Sequence, residues 1–365
     1  MKKINVGILF GGKSAEHEVS LQSAKNVFDA LDREKYNPVL IGIAKDGRWL
    51  KGDASGFLLH AENPRLIALN HSSDWVALVP ESGGKISNLS IGEPQPTAQT
   101  IDVVFPILHG PFGEDGTVQG LLKLANIPFV GTGVLASAVG MDKDVMKRLF
   151  RDAGLPIGKF KSLKSHEKTP PFKEITEALG LPIFIKPANM GSSVGVSKIH
   201  NEEEYHAALA EAFKFDTKAI LEEFIPGREL ECSVLGNEEP EASLPGEVIS
   251  THEFYSYDAK YIDEKGATLE IPARLPPETI RQIQELAIKA FKALECEGLS
   301  RVDFFLKPNG EAIINEINTM PGFTKISMYP KLWEAGGISY SKLIDTLIQL
   351  AIKRFEKEKS LKTSI

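Results

Sequence analysis

The hydrophobic and polar positions in the first third of the chain follow the order of a strand, a helix and another strand. Residues 4–10 are almost continuously apolar, as in a strand buried on both faces of a parallel sheet. Apolar side chains then recur at helical spacing over residues 24–31, and a second apolar run covers residues 39–43. The pattern predicts a βαβ unit, joined by a buried strand at residues 102–108. Residues 46–100 are irregular and rich in polar, glycine and proline positions, which indicates an elaborated insertion.

Shorter strands follow in the middle of the chain. Apolar strands at residues 183–185 and 194–199 enclose a loop rich in glycine and serine, and further strands are predicted at 219–225 and 229–235. The last third predicts an irregular stretch, a helix, a hairpin and a final helix.

A chain of 365 residues is longer than one ordinary hydrophobic core supports, so these segments predict several lobes. The alternation of strands and helices favours lobes of the α/β and α+β classes. The predicted bounds are 1–140 for an N-terminal lobe, 141–235 for a central lobe and 236–365 for a C-terminal lobe.

The composition argues against several kinds of partner and site. A net charge of −7 and a pI near 5.7 do not suit a surface for nucleic acid or an anionic membrane. No stretch approaches the roughly 18 apolar residues of a membrane span, and the N-terminal apolar run ends too early for a signal peptide. Cys232 and Cys296 lack metal-ligand spacing and are expected to be buried thiols in a reducing compartment. We therefore expect a cytoplasmic protein without nucleic-acid or membrane partners.

The hairpin in the last third contains a candidate metal site. Asn309-Gly310 between two β-rich runs predicts a two-residue turn. That register places Asp303 opposite Glu316 and Arg301 opposite Asn318, all on one face. Opposed carboxylates on apolar strands need neutralisation, and oxygen ligands suit a hard divalent cation. A structural network in which Arg301 pairs with both carboxylates is the alternative.

The loop of residues 186–195 is a candidate phosphate site. Its glycines allow successive N–H groups to converge on an anion, while Ser192 and Ser193 add hydroxyl donors and Lys186 adds a charge. The spacing of this loop matches neither a Walker A loop nor a GxGxxG turn. A nicotinamide dehydrogenase is disfavoured because Gly11-Gly12-Lys13, after the first strand, also lacks the GxGxxG spacing and no acidic residue clearly ends the second strand. A plain turn is the alternative interpretation of this loop.

Five motifs, in order along essentially the whole chain, resemble those of the D-alanine–D-alanine ligases of the ATP-grasp superfamily. They are GGKSAEHEVS at 11–20, HGPFGEDG at 109–116, the loop at 186–195, the segment 257–261 and the segment 315–324. The resemblance implies a three-lobed ATP-grasp fold with an N-terminal lobe that binds the first substrate. It also implies a lid loop within residues 251–270.

The resemblance implies that two D-alanine molecules are joined at the expense of ATP, through an acyl phosphate, for bacterial peptidoglycan precursors. ATP and Mg²⁺, with Mn²⁺ as an alternative cation, are the implied cofactors, and a homodimer is the implied assembly. The other functions considered are a different ATP-grasp ligase, such as one forming D-alanyl-D-lactate, and a non-catalytic protein that binds a small ligand.

The resemblance also implies a role for each matching residue. The implied catalytic residues are Glu16, Ser192, Tyr261, Arg301, Gly322 and Ser327. The implied D-alanine-binding residues are Glu16, His109, Arg301, Gly322 and Ser327. The implied ATP-binding residues are Lys143, Lys186, Ser192, Ser193, Glu222, Phe224, Ile225, Glu229 and Lys260. The implied metal ligands are Asp303, Glu316 and Asn318.

Structural alternatives accompany four of these roles. Glu16 could cap the helix that follows it, and His109 could be a histidine whose hydrogen bonds are already satisfied. Tyr261 could be a packing residue, and Ser327 a loop hydroxyl without a partner. Glu114, in the HGPFGEDG motif, is expected to brace the loop at His109 rather than contact substrate.

Overall fold

The computed structural model describes residues 2–52, 56–61, 63, 66–70, 74–80, 83–89, 95–250 and 267–362. The helices are α1 (His17–Ala30), α2 (Thr117–Leu124), α3 (Val134–Met141), α4 (Lys143–Asp152), α5 (Phe172–Leu179), α6 (Glu202–Ala212), α7 (Pro277–Ala293), α8 (Met328–Ala335) and α9 (Tyr340–Lys359). The first strands are β1 (Ile4–Gly11), β2 (Tyr36–Ile43), β3 (Trp49–Gly52), β4 (Leu58–Leu59), β5 (Ala68–Leu69), β6 (Val76–Leu78), β7 (Lys85–Asn88), β8 (Gln95–Thr100) and β9 (Val103–Ile107). The later strands are β10 (Phe160–Lys164), β11 (Ile183–Pro187), β12 (Ser197–Ile199), β13 (Lys218–Glu223), β14 (Arg228–Gly236), β15 (Glu241–Ala242), β16 (Gly246–Ser250), β17 (Ala267–Glu270), β18 (Gly298–Leu306) and β19 (Ala312–Asn318).

The first sheet has the strand order β3-β2-β1-β9, and β1 runs parallel to both β2 and β9. The predicted βαβ unit is confirmed, because α1 joins β1 to β2. Strands β1 and β9 are apolar throughout since both of their faces are buried. Two loops leave the carboxyl ends of β1 and β9 side by side, and they carry Glu16 and His109. The insertion forms two small sheets, β4-β5 and β6-β7-β8.

The second sheet is antiparallel, with the order β10-β13-β11-β12. Alternate residues of β11 point into a core shared with α5 and α6, where Ile183 and Ile185 are buried. The remaining residues of β11, Phe184 and Lys186, face the opposite side, and Glu222 of β13 lies opposite Phe184. This side of the sheet is the one that carries polar groups.

The third sheet has the order β17-β16-β14-β18-β19, with β15 paired to β14. Val302, Phe304 and Leu306 point into a core against α7, so Arg301 and Asp303 point to the other face. Strand β14, which the sequence analysis assigned to the central lobe, pairs along its whole length with β18. The change from the second sheet to the third therefore lies between β13 and β14, before the predicted bound at residue 235.

The turn of the hairpin differs from the prediction. Lys307 N–H donates to Glu311 O at 2.9 Å, so three residues, 308–310, form the turn instead of two. The left-handed conformation that a three-residue turn requires occurs at Gly310, with φ of +84°. A bulge at Asn315 then shifts the register by one residue and restores the predicted pairs, Asp303 with Glu316 and Arg301 with Asn318.

Within the described ranges, no helix has the length and apolar content of a bilayer-spanning segment.

Candidate active site

Two adjoining cavities lie between the three sheets. The first cavity is lined by residues that include Glu16, His109, Glu114, Arg301, Asn318, Gly322 and Ser327. The second cavity is lined by residues that include Lys147, Lys186, Ser193, Glu222, Phe224, Ile225, Glu229 and Asp303. Both cavities are bordered by Lys143, Gly191, Ser192, Glu231 and Glu316. The predicted substrate residues thus surround one cavity and the predicted nucleotide residues the other, except for Lys260 and Tyr261, which lie outside the described residues.

Glu16 connects the loop after β1 to the loop at 186–195. It stands at the start of α1 but makes no capping hydrogen bond, so the capping interpretation is wrong. Instead, the Ser192 hydroxyl donates a short hydrogen bond to Glu16 Oε1. A Cβ atom at Gly110 or Gly191 would lie 2.7 or 2.9 Å from Glu16 Oε2, so a side chain at either position would displace the Glu16 carboxylate.

The loop at 186–195 has an uncommon backbone conformation. Ser192 and Ser193 have φ of +50° and +61°, which L-residues other than asparagine and aspartate rarely adopt. Lys143 contributes to holding this loop, because its Nζ donates to Met190 O at 2.7 Å. Burial lowers the pKa of Lys143, against the opposing effect of Glu316. Gly191 and Ser192 of this loop lie at the junction of the two cavities, since both residues line both cavities.

His109 is buried at the end of the segment that follows β9. Its Nδ1 lies 3.1 Å from Met320 O, which can only accept, so Nδ1 carries the proton. Nε2 is 3.3 Å from Ser23 Oγ. Burial lowers the pKa of His109 although the charge of Glu16 opposes this, and the ring is neutral with both nitrogens bonded. These bonds agree with the satisfied-histidine alternative, and the ring still borders the first cavity.

Glu114 braces the loop that carries His109, as the sequence analysis expected. Gly110 N–H donates to Glu114 Oε1 at 2.7 Å, and the neighbouring Asp115 accepts from Phe112 N–H at 2.8 Å. Burial and the nearby charge of Glu16 raise the pKa of Glu114 to about 8. Glu114 therefore lies in the first cavity as a neutral acid at neutral pH.

Ser327 and Gly322 lie together on the loop after β19. The Ser327 hydroxyl accepts from Thr324 N–H at 3.0 Å and is 2.8 Å from Thr324 Oγ1, so the interpretation of Ser327 as a hydroxyl without a partner is wrong. A Cβ at Gly322 would lie 2.8 Å from Ser327 Oγ, which shows how closely the two residues approach. Thr324 was not singled out from the sequence, because a single threonine in a loop carries no signal of its own.

Three carboxylates lie in a row on the polar face of the third sheet. Glu231 of β14 is opposite Asp303 of β18, which is opposite Glu316 of β19. Arg301 donates from Nε and Nη2 to the two oxygens of Asp303, at 2.7 Å each, and its Nε is 2.9 Å from Glu231 Oε2. Lys143 Nζ lies 3.6 Å from Glu316 Oε2. Arg301 therefore pairs with Asp303, as the structural alternative expected. Its second carboxylate partner is Glu231 and not Glu316.

The polar face of the third sheet fits a divalent cation. Asp303 and Glu316 are directly opposed, and the Asn318 amide donates from Nδ2 to Asp303 Oδ2 at 3.0 Å. Two carboxylates and an amide oxygen are the hard ligands that Mg²⁺ takes in proteins. Among the described residues, no group of three His, Cys, Asp or Glu side chains is placed to hold a metal ion. The predicted set of metal ligands has two carboxylates, and its third member is the Asn318 amide.

The second cavity is centred on a buried charge cluster. Lys186 Nζ is 2.5 Å from Glu222 Oε2, and Lys147 Nζ is 2.7 Å from Glu222 Oε1. Burial alone would raise the pKa of Glu222, but the two lysines outweigh it and hold that pKa at about 2. The sequence analysis missed Lys147. Its spacing from Lys143, one turn along α4 on the same face, was the available signal.

Phe224, Ile225 and Glu229 border the second cavity between β13 and β14. Phe224 is 41% exposed, and the Nζ of Lys198 lies 5.0 Å from the centre of its ring. Ile225 packs close to Gly158, where a Cβ atom would lie 2.8 Å from the Ile225 side chain.

The sequence of this chain is similar to those of known D-alanine–D-alanine ligases. Residues 5–132 match the family model described as "D-ala D-ala ligase N-terminus", and residues 149–349 match "D-ala D-ala ligase C-terminus". A D-alanine–D-alanine ligase of Oceanobacillus iheyensis is 55% identical over 365 residues, which cover 100% of this chain and 99% of the relative. D-alanine–D-alanine ligase A of Escherichia coli is 53% identical, with 100% of both chains covered.

Solved structures give the same result. The D-alanine–D-alanine ligase of Coxiella burnetii superposes with a TM-score of 0.84 at 38% identity, covering 98% of this chain and 97% of that one. The VanG D-Ala:D-Ser ligase of Enterococcus faecalis superposes with a TM-score of 0.83 at 38% identity, covering 96% and 100%. The chain belongs to the D-alanine–D-alanine ligase family.

Proposed function

We propose that this chain joins two D-alanine molecules to D-alanyl-D-alanine, with ATP converted to ADP and phosphate, for the synthesis of bacterial peptidoglycan precursors. Relatives that are 53 to 57% identical over full length and carry this name support the reaction. The observation in the structure that carries the proposal is the meeting of the two cavities. Lys143, Ser192 and Glu316 border both, so an acceptor in the first cavity would lie beside the end of a nucleotide in the second.

The chemistry needs two successive attacks. The carboxylate of the first D-alanine attacks the γ-phosphate of ATP, which forms an acyl phosphate and releases ADP. The amine of the second D-alanine then attacks the acyl carbon, and phosphate leaves from the tetrahedral intermediate. Such chemistry depends on positioning and charge stabilisation more than on covalent participation of the protein.

Glu16 is suited to bind the ammonium group of the first D-alanine. The residue is only 6% exposed, the Ser192 hydroxyl donates to its Oε1, and Gly110 and Gly191 leave the space beside its Oε2 without side chains. His109 donates its proton to Met320 O and is neutral, so we assign it the positioning of the loop around that substrate.

Arg301 and Gly322 are suited to face the oxyanion of the tetrahedral intermediate. Arg301 is fixed in orientation by Asp303, and Gly322 approaches Ser327 so closely that a Cβ atom there would lie 2.8 Å from Ser327 Oγ. Ser327, already oriented by Thr324, would receive the carboxylate of the second D-alanine. Removal of one oxyanion donor typically costs about 3–4 kcal/mol of activation free energy.

The second cavity would hold ATP. Lys143 and Lys186 would bind phosphate groups together with Ser192 and Ser193 of the loop. Glu222, ionised between its two lysines, would accept from the adenine amine beside Phe224 and Ile225, and Glu229 would face the ribose. Lys260 and Tyr261, outside the described residues, complete the proposed set on a lid.

Asp303, Glu316 and Asn318 would hold Mg²⁺, or Mn²⁺ in its place. A bound divalent cation supplies charge neutralisation to the phosphate groups during transfer. We further propose that the protein is a homodimer and acts in the cytoplasm, where ATP is available.

The test is phosphate release from ATP and Mg²⁺, measured with and without D-alanine, together with chromatographic detection of dipeptide. We expect release to require D-alanine and to match D-alanyl-D-alanine in amount. Because the VanG D-Ala:D-Ser ligase is similar in structure, the assay is repeated with D-serine or D-lactate as the second substrate. If the protein prefers D-serine or D-lactate, that compound and not D-alanine is its second substrate. Nucleotide binding without release of phosphate would reject ligation of D-alanine.

A further inference from the structure

Arg301 lies between two carboxylates from different strands. Asp303, two residues along the same strand, binds it through both oxygens, while Glu231 approaches Nε from the neighbouring strand β14 at 2.9 Å. All three side chains are largely shielded, with 19% of Arg301, 15% of Asp303 and 12% of Glu231 exposed. The two carboxylates therefore contribute to the orientation of the guanidinium and compensate its charge.

Asp303 has two tasks in the proposed function that compete. It binds Arg301 through both oxygens, and the same oxygens belong to the proposed set of cation ligands. When a divalent cation draws on the negative charge of Asp303, the ion pair with Arg301 weakens. A shielded guanidinium that loses its partner is costly, and its side chain can turn to find another.

Glu231 can pair with Arg301 without being one of the proposed metal ligands. It lies opposite Asp303 in the ladder, on the far side from Glu316. Ser233, which lies directly opposite Arg301, does not offer the same support, because its hydroxyl is directed to Tyr329 O at 3.4 Å. Among the described residues that contact Arg301, Glu231 is thus a carboxylate outside the proposed metal set, and it can remain with Arg301 when the cation binds.

We propose that Glu231 is a positioning residue that keeps the Arg301 guanidinium directed at the reaction centre while Asp303 is engaged by the cation. The proposal rests on the proposed function for Arg301 and the metal ligands. It also assigns Glu231 a second effect: by holding Arg301, Glu231 lessens the competition between Arg301 and the cation for Asp303.

The first test is the variant Glu231→Gln, which keeps the size of the side chain and removes its charge. We expect kcat to fall about 10- to 100-fold, the usual effect of removing a residue that orients a metal or catalytic ligand. We expect the KM for ATP to change less than kcat, since the proposed nucleotide-binding side chains Lys186, Glu222 and Glu229 are unaltered. Glu231→Asp, which keeps the charge, should recover part of kcat. An unchanged kcat in Glu231→Gln would overturn the proposal.

The matched control is Glu247→Gln. Glu247 also pairs with an arginine on this sheet, with its Oε1 2.8 Å from Nε of Arg228, but it lies outside both cavities. A general weakening of the sheet would reduce activity in both variants, whereas a positioning role reduces it only in Glu231→Gln. Equal losses in the two variants would therefore count against the proposal.

The second test needs no turnover and uses a double-mutant cycle between Glu231→Gln and Arg301→Met. Binding of Mn²⁺ is followed by the electron paramagnetic resonance of the free ion. Glu231→Gln should weaken Mn²⁺ binding in the protein with Arg301 and leave it unchanged in the Arg301→Met background. Additive effects would show that Glu231 acts by its charge alone and overturn the proposal. If the wild-type protein makes no dipeptide, the proposed function fails, while this cycle still reports on the link between Glu231 and Arg301.

Discussion

Replacement of Lys147 by methionine removes one of the two charges that keep Glu222 ionised inside the protein. Lys147 is 3% exposed and Glu222 is 7% exposed, so solvent screens their interaction weakly. The pKa of Glu222 is held at about 2, compared with an ordinary value of 4.5. At about 1.4 kcal/mol for each unit of pKa, the ionised form contributes about 3 kcal/mol to the free energy of unfolding at pH 7. We expect Lys147→Met to lose most of that amount.

The contribution of ionised Glu222 to the free energy of unfolding decreases as the pH falls. Because folding lowers the pKa of Glu222, its contribution is present above pH 4.5 and is lost as the pH falls towards 2. At pH 3.5 the wild-type protein should already have lost about 1.4 kcal/mol of it. The variant, whose Glu222 titrates nearer its ordinary pKa, has less to lose. The difference between the two proteins should therefore shrink by about 1 kcal/mol between pH 7 and pH 3.5.

The assay is urea unfolding of both proteins at several pH values, without nucleotide. Lys173→Met is the control, because Lys173 and its partner Glu177 are 86% and 68% exposed and should contribute no measurable stability. A Lys147→Met variant as stable as the wild type at pH 7, or a difference that does not depend on pH, would refute the reasoning. The same variant should raise the KM for ATP more than it lowers kcat.

Three further predictions concern the first cavity and the hairpin. Glu316→Ala should abolish turnover while leaving the fold intact, since it removes a proposed cation ligand; circular dichroism and phosphate release check both parts. Gly191→Ala places a Cβ atom 2.9 Å from Glu16 Oε2, so the Glu16 carboxylate must shift and the KM for the first D-alanine should rise. Glu114→Gln imitates a neutral acid whose pKa is raised to about 8, so the wild-type protein should lose stability from pH 4.5 to 8 and the variant should not. Urea unfolding across this range measures the difference.

The first two of these predictions have a matched control variant, and all three have a contradicting result. Glu311→Ala alters an exposed glutamate at the turn of the same hairpin, and Gly120→Ala adds a Cβ atom where nothing lies within 4 Å. A fully active Glu316→Ala variant would reject the cation assignment. An unchanged KM in Gly191→Ala would separate Glu16 from the first substrate. Parallel stability profiles for Glu114→Gln and wild type would show that Glu114 is ionised in the folded state.

The sequence predicted the fold where local pattern and chain order suffice. The βαβ unit was recognisable because β1 and β2 are apolar runs on either side of a helical pattern. The hairpin shows a limit of such reasoning. The turn has one residue more than the prediction, and the bulge at Asn315 compensates, so Asp303 still faces Glu316. A bulge has no signature in residue type alone, so the correct pairs came from two deviations that cancel.

The residues that the sequence analysis missed depend on partners far away in the chain. Glu231 acquires its place because β14 pairs with β18 about seventy residues later, and pairing between distant strands cannot be deduced from one sequence. In the sequence, Lys147 is an ordinary polar residue of α4. Its role depends on its contact with Glu222 of β13, which only the folded structure shows. Conversely, His109 and Ser192 were found because whole motifs, rather than single residues, matched.

The hydrogen bond from Ser192 to Glu16 joins two loops that are 176 residues apart and belong to different sheets. One of these loops is proposed to bind phosphate and the other the first amino acid. Any change in one loop that shifts this bond alters the free energy of ligand binding at the other. Thermodynamic linkage then requires reciprocity: nucleotide must change the affinity for D-alanine by the same factor as D-alanine changes the affinity for nucleotide. Through this pair of side chains the two proposed binding equilibria would be coupled.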